Sequence, residues 1–285
     1  MDTIKEKYNI NKIIANGAFG RIYTITDKKS KKEYILKELT KINNESLNVT
    51  DKKEYENEIS FLKIVKGENI VKMIEYYQDD KDDFYYIILE KMDGDLYQLV
   101  EEKYKNGMDS SLIRKIFSQI NSGIKDMHKK DKCHRDLKPS NIFYSYINDE
   151  KKDFIVKLGD FGFSTDLKST THNATNVGTE FYKAPEVDVE NYSNKCDLYS
   201  IGIILYYLKT GEYIFDGRNK KDKMKNKENN IIKRDTNDEL LNKLIRKLVV
   251  KDPHDRMEWD DYFNDPFFKV NDENINKNIE CKSKI

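Results

Sequence analysis

The sequence predicts an α+β fold in two parts: a small antiparallel sheet of five strands with one helix, then a larger, mainly helical part. Three observations carry this. Short apolar runs separated by turn signals fill the first third, as strands joined by tight connections would. One stretch within that third, and most of the chain after Asp95, repeats its apolar residues at helical spacing instead. Beyond the first helical run lies a polar stretch, Cys133-His-Arg-Asp-Leu-Lys-Pro-Ser-Asn141, with a second short one, Asp160-Phe-Gly162, downstream.

With 285 residues there is material for one large domain or two lobes. Hydrophobic residues make up 38% and charged ones 36%, so a real interior sits beneath a heavily ionic surface. The 51 basic and 51 acidic side chains cancel, leaving no global charge to draw nucleic acid or an anionic membrane, and neither is expected as a partner. Cys133, Cys196 and Cys281 are odd in number and widely spaced, which fits a reducing compartment rather than a disulfide framework. Met1 to Glu6 has no apolar run of the signal-peptide type, and no stretch is long enough to span a bilayer. A soluble cytoplasmic or nuclear monomer is the expectation.

Tyr8 to Ile14 alternates loosely, Ala15-Asn-Gly-Ala-Phe-Gly20 follows, and Arg21 to Thr26 completes a strand, tight turn and strand. Glycine at 17 and 20 lets the backbone approach a phosphate closely, because no Cβ intervenes, although a plain hairpin uses the same residues. Glu33-Tyr-Ile-Leu-Lys-Glu-Leu39 reads as a strand whose apolar run ends at Lys37. Between Asp51 and Val65, Tyr55, Ile59, Leu62 and Val65 recur at helical spacing on a helix that also carries Glu54 and Glu58. Asn69 to Tyr77 and Phe84 to Glu90 are two further strands joined by an acidic turn. The small part closes near residue 91, which divides the chain into 1–91, 92–269 and a tail of 270–285.

After Asp95, Leu112, Ile113, Ile116, Ile120, Ile124 and Met127 trace an apolar stripe behind the capping cluster Asp109-Ser-Ser111. Asn141 to Tyr144 and Phe154 to Leu158 are short strands around a charged turn. Lys168 to Thr175 is polar and rich in hydroxyls, as suits a regulatory loop. Asp197 to Leu208 is apolar nearly all round, the mark of a helix at the centre of a domain. For the charged run Lys220 to Lys227 a solvated helix face and a docking patch both stand. Trp259 and Phe267-Phe268 read as core residues of the closing helices, and Val270 to Ile285 as a frayed tail. His128, His172 and His254 lack partners at metal-ligand spacing, which speaks against a structural zinc.

The chemistry sits in the polar runs. Asp136 beside Lys138 and Asn141, with Asp160 downstream, provides the parts of a phosphoryl-transfer site. Such a site needs a carboxylate to orient an attacking hydroxyl, oxygen ligands for magnesium and a cation to offset phosphate charge. The two runs resemble the H-R-D-L-x-x-x-N catalytic loop and the D-F-G magnesium motif of eukaryotic protein kinases of the serine/threonine type. Lys37 and its strand are similar to the family's V-A-I-K, and Ala184-Pro-Glu186 to its A-P-E. The resemblance covers roughly residues 8 to 269 and implies the bilobal protein-kinase fold.

It also implies an ATP-dependent kinase that transfers the γ-phosphoryl group of Mg-ATP, with one or two Mg2+ ions, to a Ser/Thr hydroxyl of a protein substrate. In that resemblance Asp136 accepts or orients the hydroxyl proton, Lys138 stabilises the transferring phosphate, and Asn141 and Asp160 hold magnesium. Lys37, paired with Glu58 (Glu54 being the runner-up), positions the nucleotide phosphates under the loop of Gly17 and Gly20, where Ala15 replaces the family's first glycine. Ile14, Ile22, Ile35, Leu89 and Phe143 contact the nucleotide, with Ile35 in place of the usual alanine and Leu89 as gatekeeper. The backbone of Glu90 and Met92 bonds the adenine edge, and Asp95 falls near the ribose. His134 packs beneath Phe161 in a stack with Met73 and Leu62, Asp197 anchors the catalytic-loop backbone, and Arg256 pairs with Glu186.

Lys138 and Thr179 argue for serine or threonine as the acceptor. Thr175 is the expected regulatory phosphosite with Arg135 as its receiver, although Glu54, Asn57 and Thr165 stand where relatives place basic groups. Ser140 and Tyr207 occupy positions where arginine-preferring kinases carry acids. Asp95 is then the one acid of that set, and no strong preference for basic sites is expected. Two other classes stay open: a pseudokinase that serves as an ATP-binding scaffold, and a small-molecule kinase, against which the activation segment from Asp160 to Glu186 weighs.

Overall fold

Side chains alternate between the two faces of a strand, and the N-terminal part of this chain uses both faces. The structure, a computed structural model, describes residues 2–17, 20–39, 49–79, 84–148, 150, 153–166, 181–188, 193–230 and 232–270. Helix α1 (Asp2–Lys7) leads into β1 (Tyr8–Gly17), β2 (Gly20–Asp27) and β3 (Glu33–Leu39). Helix α2 (Val49–Ile64), β4 (Met73–Asp79) and β5 (Phe84–Glu90) follow. The five strands form one antiparallel sheet in the order β1-β2-β3-β5-β4, so the expected sheet with one helix is present.

Register sorts the side chains. Ile22 and Ile87 lie opposite Lys37, and Leu89 lies opposite Ile35, so these residues share one face. Tyr23, Ile25, Leu36, Tyr86 and Ile88 share the other, where they bury Ile4 and Tyr8. Helix α1 was not expected, being too short to show a period. It forms because Ile4 drops to 1% exposure on that second face. Lys7 Nζ reaches Glu75 on β4 at 2.8 Å and the Tyr8 hydroxyl donates to the same carboxylate, which joins the two edge strands of the sheet.

The strand expected from Asn69 starts four residues later, at Met73. The reason is a competing partner: Asn69 Nδ2 donates to the Val156 carbonyl at 2.8 Å and the Val71 N–H to the Leu158 carbonyl at 2.8 Å. Those carbonyls belong to a second sheet. The chain continues through β6 (Gly94–Asp95), α3 (Leu96–Lys103), α4 (Ser110–His128), β7 (Lys132–Cys133), β8 (Ile142–Tyr146), β9 (Phe154–Leu158) and β10 (Thr165–Asp166). Strands pair in the order β6-β8-β9, and β7 pairs with β10. The helices α5 (Lys195–Thr210), α6 (Lys220–Glu228), α7 (Glu239–Leu248) and α8 (Trp259–Phe263) complete it.

Two compact units result. One holds Met1–Asp95, Gly123–His134 and Asn141–Asp166, the other Leu96–Ser122, Arg135–Ser140 and Leu167–Ile285. In the second, every residue of α5 from Cys196 to Leu208 is buried, as its uniform apolarity required. Asp109 Oδ1 accepts the Leu112 N–H at 2.9 Å, which caps α4 as expected. The stripe of α4 is buried at Ile113, Ile116, Ile120, Ile124 and Met127 as expected; Phe117 joins it, and Leu112 alone is half-exposed. Trp259 is likewise half-exposed, its ring stacked on Phe263, rather than in the core. Lys220 to Lys227 is helical, and Lys227 alone of its lysines is buried. Among the described residues no helix is long and apolar enough to cross a membrane.

Candidate active site

In the first unit the polar chemistry gathers at Lys37. Its ammonium lies 2.6 Å from Glu58 Oε2 and 3.2 Å from Asp160 Oδ1. Of the two acids left open on α2, Glu58 is therefore the one that meets Lys37. Burial alone would favour the neutral amine, but the charges of Asp160 and Glu58 outweigh it and raise the Lys37 pKa above the ordinary lysine value. Burial pushes the Glu58 carboxyl up as well; Lys37 opposes this and the like charge of Asp160 adds to it.

Two further contacts hold α2 to the Asp160 loop. The Phe61 ring stacks on Phe161 with centroids 4.1 Å apart and 13° between planes, and Asn57 Nδ2 donates to the Gly162 carbonyl at 3.3 Å. Leu62, the residue expected in this stack, is buried, and its neighbour Phe61 supplies the stacked ring. On the other side His134 lies 5.1 Å from Phe161, as expected, and its Nε2 sits 3.1 Å from the Gly159 carbonyl. A carbonyl oxygen only accepts, so Nε2 carries the proton. Asp160 itself adopts φ 61°, a left-handed conformation that costs energy outside glycine and is held here by its surroundings.

Asn141 is buried at the end of the short turn Pro139–Asn141, and its carbonyl accepts the Gly159 N–H at 3.0 Å. That bond places Asn141 one residue from a backbone link to Asp160. Gly159 has no room for a Cβ, which would meet the Phe143 ring at 2.8 Å and the Val71 methyl at 3.0 Å.

The residues expected to contact the nucleotide fall as follows. Ile22, Ile35 and Leu89 share the face of Lys37; Ile35 is half-buried and Leu89 buried. Ile14 is 47% exposed on β1. Gly17 pairs with Gly20 where the strands turn, Ala18 and Phe19 lying outside the described residues. Gly20 takes φ 125°, and a Cβ there would lie 1.9 Å from the Glu38 carbonyl oxygen. Met92 is half-buried, and Asp95 stands opposite Phe143 across β6 and β8. Glu90 is held more firmly than its motif suggests: its carboxylate accepts from Lys157 Nζ and from the Lys72 N–H, both at 2.7 Å. Lys157 went unread, though a lone lysine in the apolar run Phe154-Ile-Val-Lys-Leu158 was a visible clue.

The second unit carries Asp136, whose Oδ2 is 2.7 Å from Lys138 Nζ, with side-chain exposures of 4% and 21%. The N–H of Arg135 donates to Asp197 Oδ1 at 2.7 Å, which is the expected anchor on α5. Arg135 takes φ 68°, so this loop too stores a left-handed non-glycine residue. Glu186 meets Arg256 through two hydrogen bonds, at 2.6 and 3.0 Å. Thr175 and Thr179 lie outside the described residues.

A family model described as "Protein kinase domain" matches residues 8–268. The chain is 35% identical over 77% of its length to calcium-dependent protein kinase 4 of Plasmodium berghei, covering 40% of that protein. It is 34% identical over 75% of its length to the human serine/threonine-protein kinase Nek5, covering 29% of it. To the serine/threonine-protein kinase atg1 of Dictyostelium discoideum it is 29% identical over 93% of its length, covering 39%. The chain thus spans well under two thirds of the length of these relatives. Because the match runs through the sheet, both polar loops and the closing helices alike, the chain belongs to the protein kinase family.

Proposed function

We propose that this chain transfers the γ-phosphoryl group of ATP to a serine or threonine hydroxyl of a protein substrate. The observation that carries the reading is the engagement of Lys37 by both Glu58 and Asp160. A lysine held charged by two carboxylates, one of them 41% exposed, is a cation prepared for phosphates rather than a closed structural pair. Two of the relatives are named as serine/threonine-protein kinases, which supports the acceptor class.

Asp160 and Asn141 offer a carboxylate and an amide oxygen, hard donors that suit magnesium, which completes its shell with phosphate and water. Among the described residues no group of three or more His, Cys, Asp or Glu forms an all-protein metal cage. One or two bound Mg2+ ions would neutralise charge on the β- and γ-phosphates. Asp136 would take the hydroxyl proton as the hydroxyl oxygen bonds to the γ-phosphorus and the bond to the β-phosphate oxygen breaks. Lys138, paired with Asp136, would face the charge of the transferring group. Phosphorylation of Thr175, received by Arg135, would stimulate without acting as an absolute switch.

Transfer of labelled phosphate from ATP to generic protein substrates tests this. Wild type should transfer, and Asp136→Asn should lose about a thousandfold or more in rate while still binding ATP. Wild-type rates in folded Asp136→Asn would overturn the assignment of roles. ATP binding without transfer to any protein would make the chain a scaffold.

A further inference from the structure

The neutrality of the whole chain conceals a local excess of positive charge. The turn between β2 and β3 reads Lys28-Lys29-Ser30-Lys31-Lys32, and every one of these residues is exposed. Helix α1 lies against it. The Lys28 N–H donates to the Lys7 carbonyl at 3.0 Å, and Lys28 Nζ donates to the Lys5 carbonyl at 2.5 Å. Exposed Lys5 thereby joins the turn at one edge of the first unit.

Nearby carboxylates are engaged elsewhere. Glu33 pairs with Lys91 at 2.7 Å, and Glu75 with Lys7 at 2.8 Å. Asp27 is buried, and its Oδ1 accepts the N–H groups of Lys29 and Ser30 at 3.0 and 2.6 Å and the Ser30 hydroxyl at 2.9 Å. Among the described residues, Lys5, Lys28, Lys29, Lys31 and Lys32 have no carboxylate in a salt bridge, although exposed Glu6 shares the helix. The turn is also firm, because the Lys31 N–H donates to the Asp27 carbonyl and the Asp27 N–H to the Lys32 carbonyl, both at 2.9 Å. Lys31 takes φ 60°, a left-handed conformation that glycine or asparagine adopts at less cost. A turn shaped for the fold alone would place one of those there, so a lysine at this position points to a use for its charge.

Shape and residue type say which anion fits. Lysine ammonium groups are point charges, without the planar fork by which arginine grips a single carboxylate or phosphate. A turn is convex and offers an acidic peptide no groove. Lys32 Nζ lies over the Tyr34 ring, 5.8 Å from its centroid, so that ring is covered rather than open to a stacked base. A broad surface of diffuse negative charge matches what is left. We propose that Lys5, Lys28, Lys29, Lys31 and Lys32 form a docking surface for an anionic lipid bilayer. The idea goes beyond the function proposed above and does not depend on it. It also revises the expectation, drawn from balanced net charge, of no membrane partner. A bilayer responds to the charge within a Debye length, about 8 Å at physiological salt, and not to the sum over the chain.

The test sediments the whole chain with vesicles of phosphatidylcholine, alone or mixed with phosphatidylserine. The chain should pellet with the mixed vesicles and not with the neutral ones, and about 1 M salt should release it. Each lysine near such a surface contributes about fivefold in partition. The combined variant Lys28→Gln, Lys29→Gln, Lys31→Gln and Lys32→Gln should therefore lose about twentyfold or more, the effect of two lysines in contact. Asp27 and Ser30 stay in place to hold the turn, and circular dichroism checks the fold. A control removes as many charges from α6, through Lys220→Gln, Lys221→Gln, Lys223→Gln and Lys225→Gln, and should bind as wild type does. Equal partition to both kinds of vesicle overturns the proposal. So does a control that loses as much binding as the turn variant, since charge anywhere on the chain would then suffice. Polyglutamate or single-stranded RNA bound through the turn lysines, without vesicle binding, overturns the bilayer as occupant.

Discussion

Arg256 is wholly shut from solvent, and its two terminal nitrogens lie 2.6 and 3.0 Å from the two carboxylate oxygens of Glu186. Burying the pair costs desolvation energy, which this geometry offsets: the guanidinium also donates to the carbonyls of Lys195 and Val250 and lies 5.1 Å from the Tyr199 ring centroid. Removing one partner leaves the other charge uncompensated. Glu186→Gln should therefore cost about 3–5 kcal/mol of unfolding free energy by urea titration. Arg256→Lys should also destabilise, because an ammonium cannot reproduce the two-pronged contact. A loss under about 1 kcal/mol in Glu186→Gln, no more than an exposed pair contributes, would show that the bridge does not hold the segment.

The pair of Lys37 and Glu58 makes a prediction about pH. Burial raises the folded-state pKa of Glu58 above its unfolded value, so the folded protein binds this proton more tightly than the unfolded chain does. The corresponding stability is present at low pH and is lost as pH rises through the raised value. Glu58→Gln cannot titrate, so the stability of wild type relative to this variant should decline from acid toward neutral pH. Denaturant unfolding across that range reads the difference, and a difference that grows with pH would refute the sign. Turnover in Glu58→Gln should fall at every pH, since Lys37 then keeps Asp160 alone.

Ile35 is half-buried and stands opposite Leu89. Its truncation therefore costs less than a fully buried isoleucine would, about 1–2 kcal/mol for Ile35→Ala. The larger effect should be on ligand choice: the variant should gain affinity for bulky adenine-site inhibitors relative to small ones. An unchanged rank order across such a panel would remove Ile35 from the slot.

Glu75 is shared by Lys7 and Tyr8. Burial pushes its carboxyl up, but hydrogen bonds from Lys7, Tyr8 and Tyr77 win and lower it below the ordinary value. A depressed pKa contributes stability above the unfolded value that is lost as pH falls through the folded one. Glu75→Gln should lower the melting temperature by about 2–4 °C at neutral pH, the shift expected of roughly 1 kcal/mol in a chain of this size. The gap to wild type should close below roughly pH 4, where free glutamate protonates. A constant gap across pH would mean that the carboxylate charge plays no part in tying α1 to the sheet.

The sequence by itself determined what is encoded locally. Alternation in Arg21 to Thr26 and Glu33 to Leu39 set two strands, a uniformly apolar run set α5, and the order of Lys37, Asp136, Asn141 and Asp160 pointed to the protein kinase family. These are periodicities and spacings, which need no knowledge of what the segment touches. The tertiary structure decided everything that depends on which surfaces meet. It chose Glu58 over Glu54 for Lys37, stacked Phe61 on Phe161, and gave Glu90 the partner Lys157. It drew Asn69 out of a strand to serve Val156, folded six unremarkable residues into α1, and set Arg135 and Asp160 in left-handed conformations. It also placed the carboxylate of Glu101 on the hydroxyl of Tyr207, residues 106 positions apart. Each outcome balances a local cost against burial or hydrogen bonds supplied by distant residues, and that balance exists only once the chain has closed on itself.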